Sequence, residues 1–191
     1  PIVIDTFAAL RFSYPQKNGS FIQKKISKKI KFRLLYAFSV HFYQYEKILK
    51  DLIQVFNNSE IKLDLKFHPL FNNKMVKVKL PPNFKRVSEI NMERLNQTYD
   101  MVLFNDNSLG IEALMMGVRA YEYKFGEIYP EHRLFDFNLY DFKVDKKKLI
   151  NIKNSIKNFS FIKELDSNLI KKYIKKMYKP YSSKIISKIL I

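Results

Sequence analysis

The sequence predicts an α/β domain of three layers, a mostly parallel sheet between helices, followed by a helical carboxyl terminus. Three observations predict it. Short apolar runs alternate with amphipathic stretches from Lys31 to Tyr123, and strand–helix alternation builds a parallel sheet with helices on its faces. The stretch from Asp145 onward loses that alternation and takes on helical spacing. Apolar residues make up 47% of the 191-residue chain, enough to furnish a core for one domain with additional arms.

The elements follow in order. Pro1 to Pro15 opens with an apolar, β-like run, and residues 16–31 are polar and basic around Gly19, so residues 1–31 are expected to be an N-terminal remnant and basic linker. Residues 31–40 form a strand of the fully buried kind. Tyr45–Phe56 is an amphipathic helix with Ile48, Leu49, Leu52, Ile53 and Phe56 on one side. Ile61–Phe67 is a strand that ends at His68-Pro69. Met75–Lys79 is expected as a short strand stopped by Pro81-Pro82, then Phe84–Val87 as a strand and Ile90–Thr98 as a short helix. Asp100–Phe104 is a strand, Ser108–Met116 a helix closed by Gly117, and Val118–Tyr123 the next strand. Asp145–Asn158 and Ser160–Met177 are expected helices, the second with Ile162, Leu165, Leu169, Tyr173, Ile174 and Met177 as its apolar stripe. The layout is Rossmann-like over residues 32–178, with 179–191 as a tail.

Composition narrows the function classes. The chain has no cysteine, which excludes disulfides, thiolate metal sites and cysteine nucleophiles. No apolar run reaches the roughly 18 residues needed to span a bilayer. Pro1 to Ala9 lacks the basic segment of a signal peptide. Without an initiator Met, the chain is expected to be a fragment. The formal net charge is +17, and six of the 35 basic residues are Arg. Such charge suits anionic ligands or an anionic membrane surface. Nucleic acid is disfavoured, because base readout leans on bidentate Arg. The abundance of Lys, Asn, Ile, Phe and Tyr also fits an AT-rich coding sequence.

Two segments carry the candidate chemistry, and both follow strands. Ligands of open α/β sheets bind beyond the carboxyl ends of the strands. The first segment is Lys66-Phe67-His68-Pro69. Pro69 holds His68 toward extended geometry, from which the imidazole can donate to a phosphate oxygen while Lys66 adds charge. An incidental loop histidine is the alternative. The second runs from Tyr99 to Val118, where a strand passes through Asn105, Asp106 and Asn107 into a helix beginning near Ser108. A helix start offers free N–H groups to an anion. Ser108 either caps the helix or binds the anion, Gly110 permits close approach, and Glu112 either reaches a ribose hydroxyl or complements the helix start. An ordinary capped helix is the alternative. Three of the four glycines, Gly110, Gly117 and Gly126, fall close together here, which points to required backbone geometry. His41 follows the first strand and belongs to the same edge, where it lines a cleft or is a plain loop residue. His132 sits in a polar stretch and is expected at the surface, with Arg133 beside it a further candidate to meet a ligand.

The order of these segments resembles a known family. Lys66-Phe67-His68-Pro69, followed by the run from Tyr99 to Val118, is similar to the C-terminal domain of GT-B glycosyltransferases that build bacterial surface polysaccharide, in particular sialyltransferases and polysialyltransferases. It also resembles surface-carbohydrate proteins with an Asn-Ser-x-Gly-Ile-Glu-Ala-Leu-x-x-Gly pattern, here Asn107 to Gly117. The resemblance covers about half the chain, Lys31 to Tyr123. It implies one half of a GT-B fold that binds a nucleotide-sugar donor. His68, Asn107, Ser108 and Gly110 would hold the donor phosphate, and Glu112 would take a ribose or helix-start role. His41, Lys66, Pro69 and Asn105 would line the cleft. Asn107 stands where the sialyltransferases often carry a hydroxyl residue, a departure that bears on the expected CMP-sugar. Phe104 stands where retaining members carry the first of two glutamates, which tilts the expectation toward an inverting, metal-independent transferase needing no cofactor. The acceptor would be a surface carbohydrate or a lipid-linked precursor, in the cytoplasm or at the inner face of the membrane. The general base would lie outside this chain. Two alternatives stay open: a GT-B-fold UDP-sugar epimerase or glycerophosphotransferase, and a non-catalytic domain docking on a membrane or partner.

Overall fold

The computed structural model describes residues 32–71, 77–105, 107–123, 143–157 and 168. They form a six-stranded sheet with helices on both faces. The strands are β1 (Arg33–Ala37), β2 (Lys62–Lys66), β3 (Phe84–Val87), β4 (Met101–Phe104), β5 (Arg119–Tyr123) and β6 (Lys143–Val144). The helices are α1 (Tyr45–Phe56), the single turn α2 (Leu95–Thr98), α3 (Leu109–Met115) and α4 (Lys146–Lys157). The strand order is β3-β2-β1-β4-β5-β6, and every pairing is parallel. The expected Rossmann-like α/β/α architecture is therefore observed. The chain builds β1 to β3 outward in one direction, then returns to β1 and builds β4 to β6 in the other. The direction reverses between β1 and β4, which makes their carboxyl ends the topological switch point.

The central strands are apolar because both faces are covered. Leu34, Tyr36 and Phe38 join one cluster with Ile48, Leu49, Leu52 and Phe56 of α1 and with Leu149 and Ile152 of α4. Leu35 and Ala37 join the other, with Leu95 of α2, Val102 and Phe104 of β4, and Ile111, Ala113 and Leu114 of α3. The pleat sends alternate side chains to opposite clusters. Truncating one such Leu to Ala costs about 2–5 kcal/mol.

Local chemistry explains where the helices stop. α1 buries Tyr45, Ile48, Leu49, Leu52, Val55 and Phe56 and leaves Glu46 and Lys50 exposed as an i,i+4 pair at 2.7 Å. It ends where Asn57 turns extended and Asn58 takes a positive φ of 54°, a conformation that Asn tolerates better than most residues. α3 ends at Gly117, whose φ is 75°. The Gly117 N–H donates to Leu114 O (3.0 Å) and the Val118 N–H to Ala113 O (2.8 Å), the paired bonds of a Schellman motif.

Several expectations change. Residues 77–79 of the expected Met75–Lys79 strand are not a strand. Val78 and Leu80 instead pack on the first cluster from irregular backbone, so their spacing reflects burial without sheet pairing. Over Ile90–Thr98 the helix is shorter than expected. The Asn91 side chain accepts from the Arg94 N–H and starts a 3-10 turn at Met92–Arg94, which leaves α2 one turn long. Within α1, Val55 is buried and Ile53 only half-buried. β6 has two residues and was not expected. The N-terminal segment 1–31, His132, Arg133, Gly126 and the tail 179–191 lie outside the described residues. Of the helix expected over Ser160–Met177, the described residue is Asn168, which is helical.

Candidate ligand site at the carboxyl edge of the sheet

The parallel sheet carries all the expected site segments to one edge. His41 follows β1, His68 follows β2, and Asn105, Asn107 and Ser108 follow β4. Because β2, β1 and β4 are consecutive in the sheet, these three loops are neighbours across the switch point.

His68 is half-buried, with its ring 6.1 Å from that of Phe42. Its backbone N–H donates to the Tyr45 hydroxyl (3.3 Å), and its Nδ1 accepts the Leu70 N–H (3.3 Å). With Nδ1 an acceptor, a neutral ring carries its proton on Nε2. Nε2–H is then the donor left for a ligand. Pro69 is exposed beside it. Lys66 turns along the sheet, and its ammonium donates to the Ser88 carbonyl beyond β3.

The loop after β4 is held by amide side chains. Asn105 is buried, accepts the Ser39 N–H at Oδ1 (3.1 Å) and donates from Nδ2 to Ser39 Oγ (2.9 Å). Asn107 donates from Nδ2 to Ala37 O (2.8 Å) and Asn105 O (3.1 Å), and its Oδ1 accepts the Leu109 N–H (3.0 Å). The start of α3 is therefore served by Asn107. The Ser108 side chain makes no cap bond. The exposed Ser108 instead donates its hydroxyl proton to Oε1 of the buried Glu112 (2.8 Å). Glu112 lies behind Ser108 and orients it. The Ser108 oxygen keeps lone pairs for a ligand hydroxyl, and donating to a phosphate would require withdrawing its proton from the carboxylate.

Packing by itself calls for glycine at 110. A Cβ built on Gly110 would lie 2.3–2.5 Å from ring atoms of Phe104. The ring at the end of β4 occupies the space a side chain would fill. Gly110 is itself buried.

Two residues of this edge were not singled out in the sequence. Ser39 and Tyr45 are both fully or nearly fully buried, at 1% and 0% exposure. Ser39 Oγ accepts the His41 N–H (3.2 Å) as well as Asn105 Nδ2. The Tyr45 hydroxyl donates to Ser39 O while accepting from His68. Burial pushes the Tyr45 phenol up to about 12, opposed by the His68 N–H bond. The one available signal was position: Ser39 stands between a buried strand and His41. Tyr45 reads as an ordinary apolar residue at a helix start.

Around the rim Val40, Tyr43 and Leu70 are exposed, and the Tyr43 ring lies 6.0 Å from that of His41. Among the described residues no group of three or more His, Asp or Glu side chains is placed to hold a metal ion. No described helix is long and apolar enough to cross a membrane.

No protein-family model matches the sequence, and no curated protein matches it. Similarity appears among solved structures. The chain is similar to CalG4, the calicheamicin glycosyltransferase, at 12% identity over 82% of this chain and 40% of that one, with a TM-score of 0.50. It is similar to the glycosyltransferase SnogD from Streptomyces nogalater at 15% identity over 87% and 43%, TM-score 0.50. TarM gives 14% identity over 89% and 37%, TM-score 0.50. At such identities the likeness is one of fold. The chain spans about two fifths of the length of these structures.

Proposed function

We propose that this chain is the donor-binding domain of a GT-B-type glycosyltransferase, taking a nucleotide-activated sugar at the carboxyl edge of β2, β1 and β4. The observation that carries this is topological. Parallel pairing puts His41, His68, Asn105, Asn107 and Ser108 at one edge, and the strand order reverses between β1 and β4 in their midst. A switch-point crevice is where open α/β sheets bind nucleotides. The glycosyltransferase folds of CalG4 and SnogD support the same choice of ligand class.

In this proposal His68 Nε2–H donates to a donor phosphate oxygen. Ser108, held by Glu112, meets the phosphate or the ribose. Asn107 and Asn105 hold the loop that presents Ser108, and His41, Lys66 and Pro69 border the crevice. A CMP-sugar donor, an inverting and metal-independent reaction, and a bacterial surface-carbohydrate acceptor rest on the resemblance of the two segments to sialyltransferases. The basic chain, at +17, suits phosphorylated donors and lipid-linked acceptors at the inner face of a membrane. No side chain described here is assigned as the general base.

Calorimetric titration of the full chain with CMP, UDP and GDP, and with their sugar conjugates, tests the proposal. One of the three nucleotides should bind, and His68→Ala should weaken it by about 1–3 kcal/mol, the range for losing a hydrogen bond to a charged group. A folded sample that binds none of the three ends the donor-site assignment.

A further inference from the structure

Beyond the residues that would meet a donor, one buried position ties all three loops of the edge together. Ser39 uses every polar atom it has. Its N–H donates to Asn105 Oδ1 on the β4 loop, and its hydroxyl oxygen accepts from Asn105 Nδ2 and from the His41 N–H. Its carbonyl accepts from the Tyr45 hydroxyl, which in turn accepts the His68 N–H of the β2 loop. The chain of bonds runs from His68 through Tyr45 and Ser39 to Asn105. It crosses β2, β1 and β4 just past their carboxyl ends.

We infer that Ser39 is a positioning residue that holds the loops after β1, β2 and β4 in one fixed arrangement, setting the spacing of His68 and Ser108 for a ligand. The ligand part of this inference rests on the donor-site proposal; the mechanical part does not. Ser39 is 1% exposed and cannot itself touch a solute. Its whole reach is through Asn105, His41 and Tyr45. Fully satisfied hydrogen-bonded networks around buried members such as Ser39, Tyr45 and Asn105 rigidify a structure and specify one geometry. The arrangement also explains why a buried Asn and a buried Ser stand at the switch point, where apolar residues would pack with no polar group to satisfy. The backbone of adjacent parallel strands sets their register only as far as the ladder runs. Past Ala37, Lys66 and Phe104 the Ser39 network joins the Asn107 bond to Ala37 O in tying the loops, and it is Ser39 that links all three.

The test uses a remote reporter. Asn105→Ala removes both side-chain bonds to Ser39 and leaves Tyr45 and His68 chemically intact. Amide hydrogen exchange is followed by NMR in the full chain without ligand. The His68 amide should exchange roughly five- to tenfold faster in Asn105→Ala, the consequence of loosening a bond of ordinary strength. The Asp100 amide, bonded to Arg33 O at 2.8 Å at the opposite end of the sheet, should keep its wild-type rate. A His68 rate that stays at the wild-type value overturns the inference. So does an equal acceleration at His68 and Asp100, which would mean general loosening. Should Asn105→Ala fail to fold, Ser39→Ala removes the hydroxyl's bonds to Asn105 Nδ2 and to the His41 N–H while the backbone bonds to Asn105 Oδ1 and Tyr45 remain; the His41 amide should then accelerate most, His68 less and Asp100 not at all, and no acceleration at either histidine overturns the inference. A nucleotide that binds the wild type should bind either variant roughly tenfold more weakly, and an unchanged affinity would equally overturn the inference. If the wild type binds no nucleotide, the donor proposal fails by itself while the exchange comparison still decides the role of Ser39.

Discussion

Two polar clusters bracket β1, and they are built from different chemistry. At its amino end Arg33 pairs with Asp64 at 2.7 Å, the Tyr99 hydroxyl donates to the same carboxylate oxygen at 2.9 Å, and Asp100 accepts the Arg33 N–H at 2.8 Å. The Arg33 guanidinium also lies 5.4 Å from the centre of the Tyr99 ring. At the carboxyl end the members are neutral: Ser39, Tyr45, Asn105 and Asn107. Within the charged cluster Asp64 and Tyr99 are buried and bonded to one another. The neutral cluster leaves imidazoles and a hydroxyl at the surface beyond it. Charge at the amino end fastens the sheet, whereas at the carboxyl end neutral amides and hydroxyls hold the loops, and the buried Glu112 carboxylate behind them orients Ser108.

The largest effect should come from cutting the charged cluster. Asp64→Ala leaves Arg33 and the Tyr99 hydroxyl without their shared acceptor. Breaking a buried ion pair costs about 3–5 kcal/mol, and the half-exposed Arg33 side chain, at 42%, reduces this to roughly 2–4 kcal/mol. Urea unfolding measures it. The contrast predicts that the folded variant keeps wild-type nucleotide affinity. A matching loss of affinity would show that the amino end also sets the site, and the division between the two ends would fall.

Next in size is Gly110→Ala, which acts at the carboxyl end through shape alone. The added methyl meets the Phe104 ring, and such overpacking costs about 1–3 kcal/mol. Pairing it with Phe104→Leu should recover much of the loss in a thermal unfolding series. If Gly110→Ala is neutral for stability yet abolishes nucleotide binding, ligand approach rather than packing governs this position.

The contrast also shows what the sequence could disclose. Elements with sustained apolar patterning were legible, such as α1 and the strands β1, β2 and β4, because burial on one or both faces writes itself into residue type. The break at Gly117 was legible because few residues accept its φ of 75°. The candidate site was legible as three strand-end segments, since any residue following a parallel strand lies on the same edge. Strand order was not, because parallel pairing leaves no local mark. Hence the adjacency of β2, β1 and β4, on which the site depends, came from the structure. Ser39 and Tyr45 were hidden for a related reason: their importance lies in partners 66 and 23 positions away. Val78 and Leu80 misled in the opposite sense, being packed on the core without belonging to the sheet.

The smallest effect separates the two ends by alkaline titration. Tyr45 is raised to about 12 by burial, with the His68 bond opposing. Tyr99 is raised well above the ordinary value, first by burial and then by the charge of Asp64 and the hydrogen bond to it, against Arg33. Both shifts favour the neutral phenol in the folded state, while the unfolded chain ionises near pH 10. Their stabilisation is therefore complete below about pH 10 and is lost as pH rises toward the folded values. Tyr45 has given up its share by about pH 12, whereas Tyr99, next to a carboxylate, goes on losing stability beyond that. Unfolding free energy measured from about pH 9 upward should fall less steeply in Tyr99→Phe than in Tyr45→Phe. An equal loss in the two variants carried past about pH 12 would mean that Tyr99, for all its burial and its bond to Asp64, holds its proton no more firmly than Tyr45, and the charged cluster would then differ from the neutral one in composition but not in how it responds to pH.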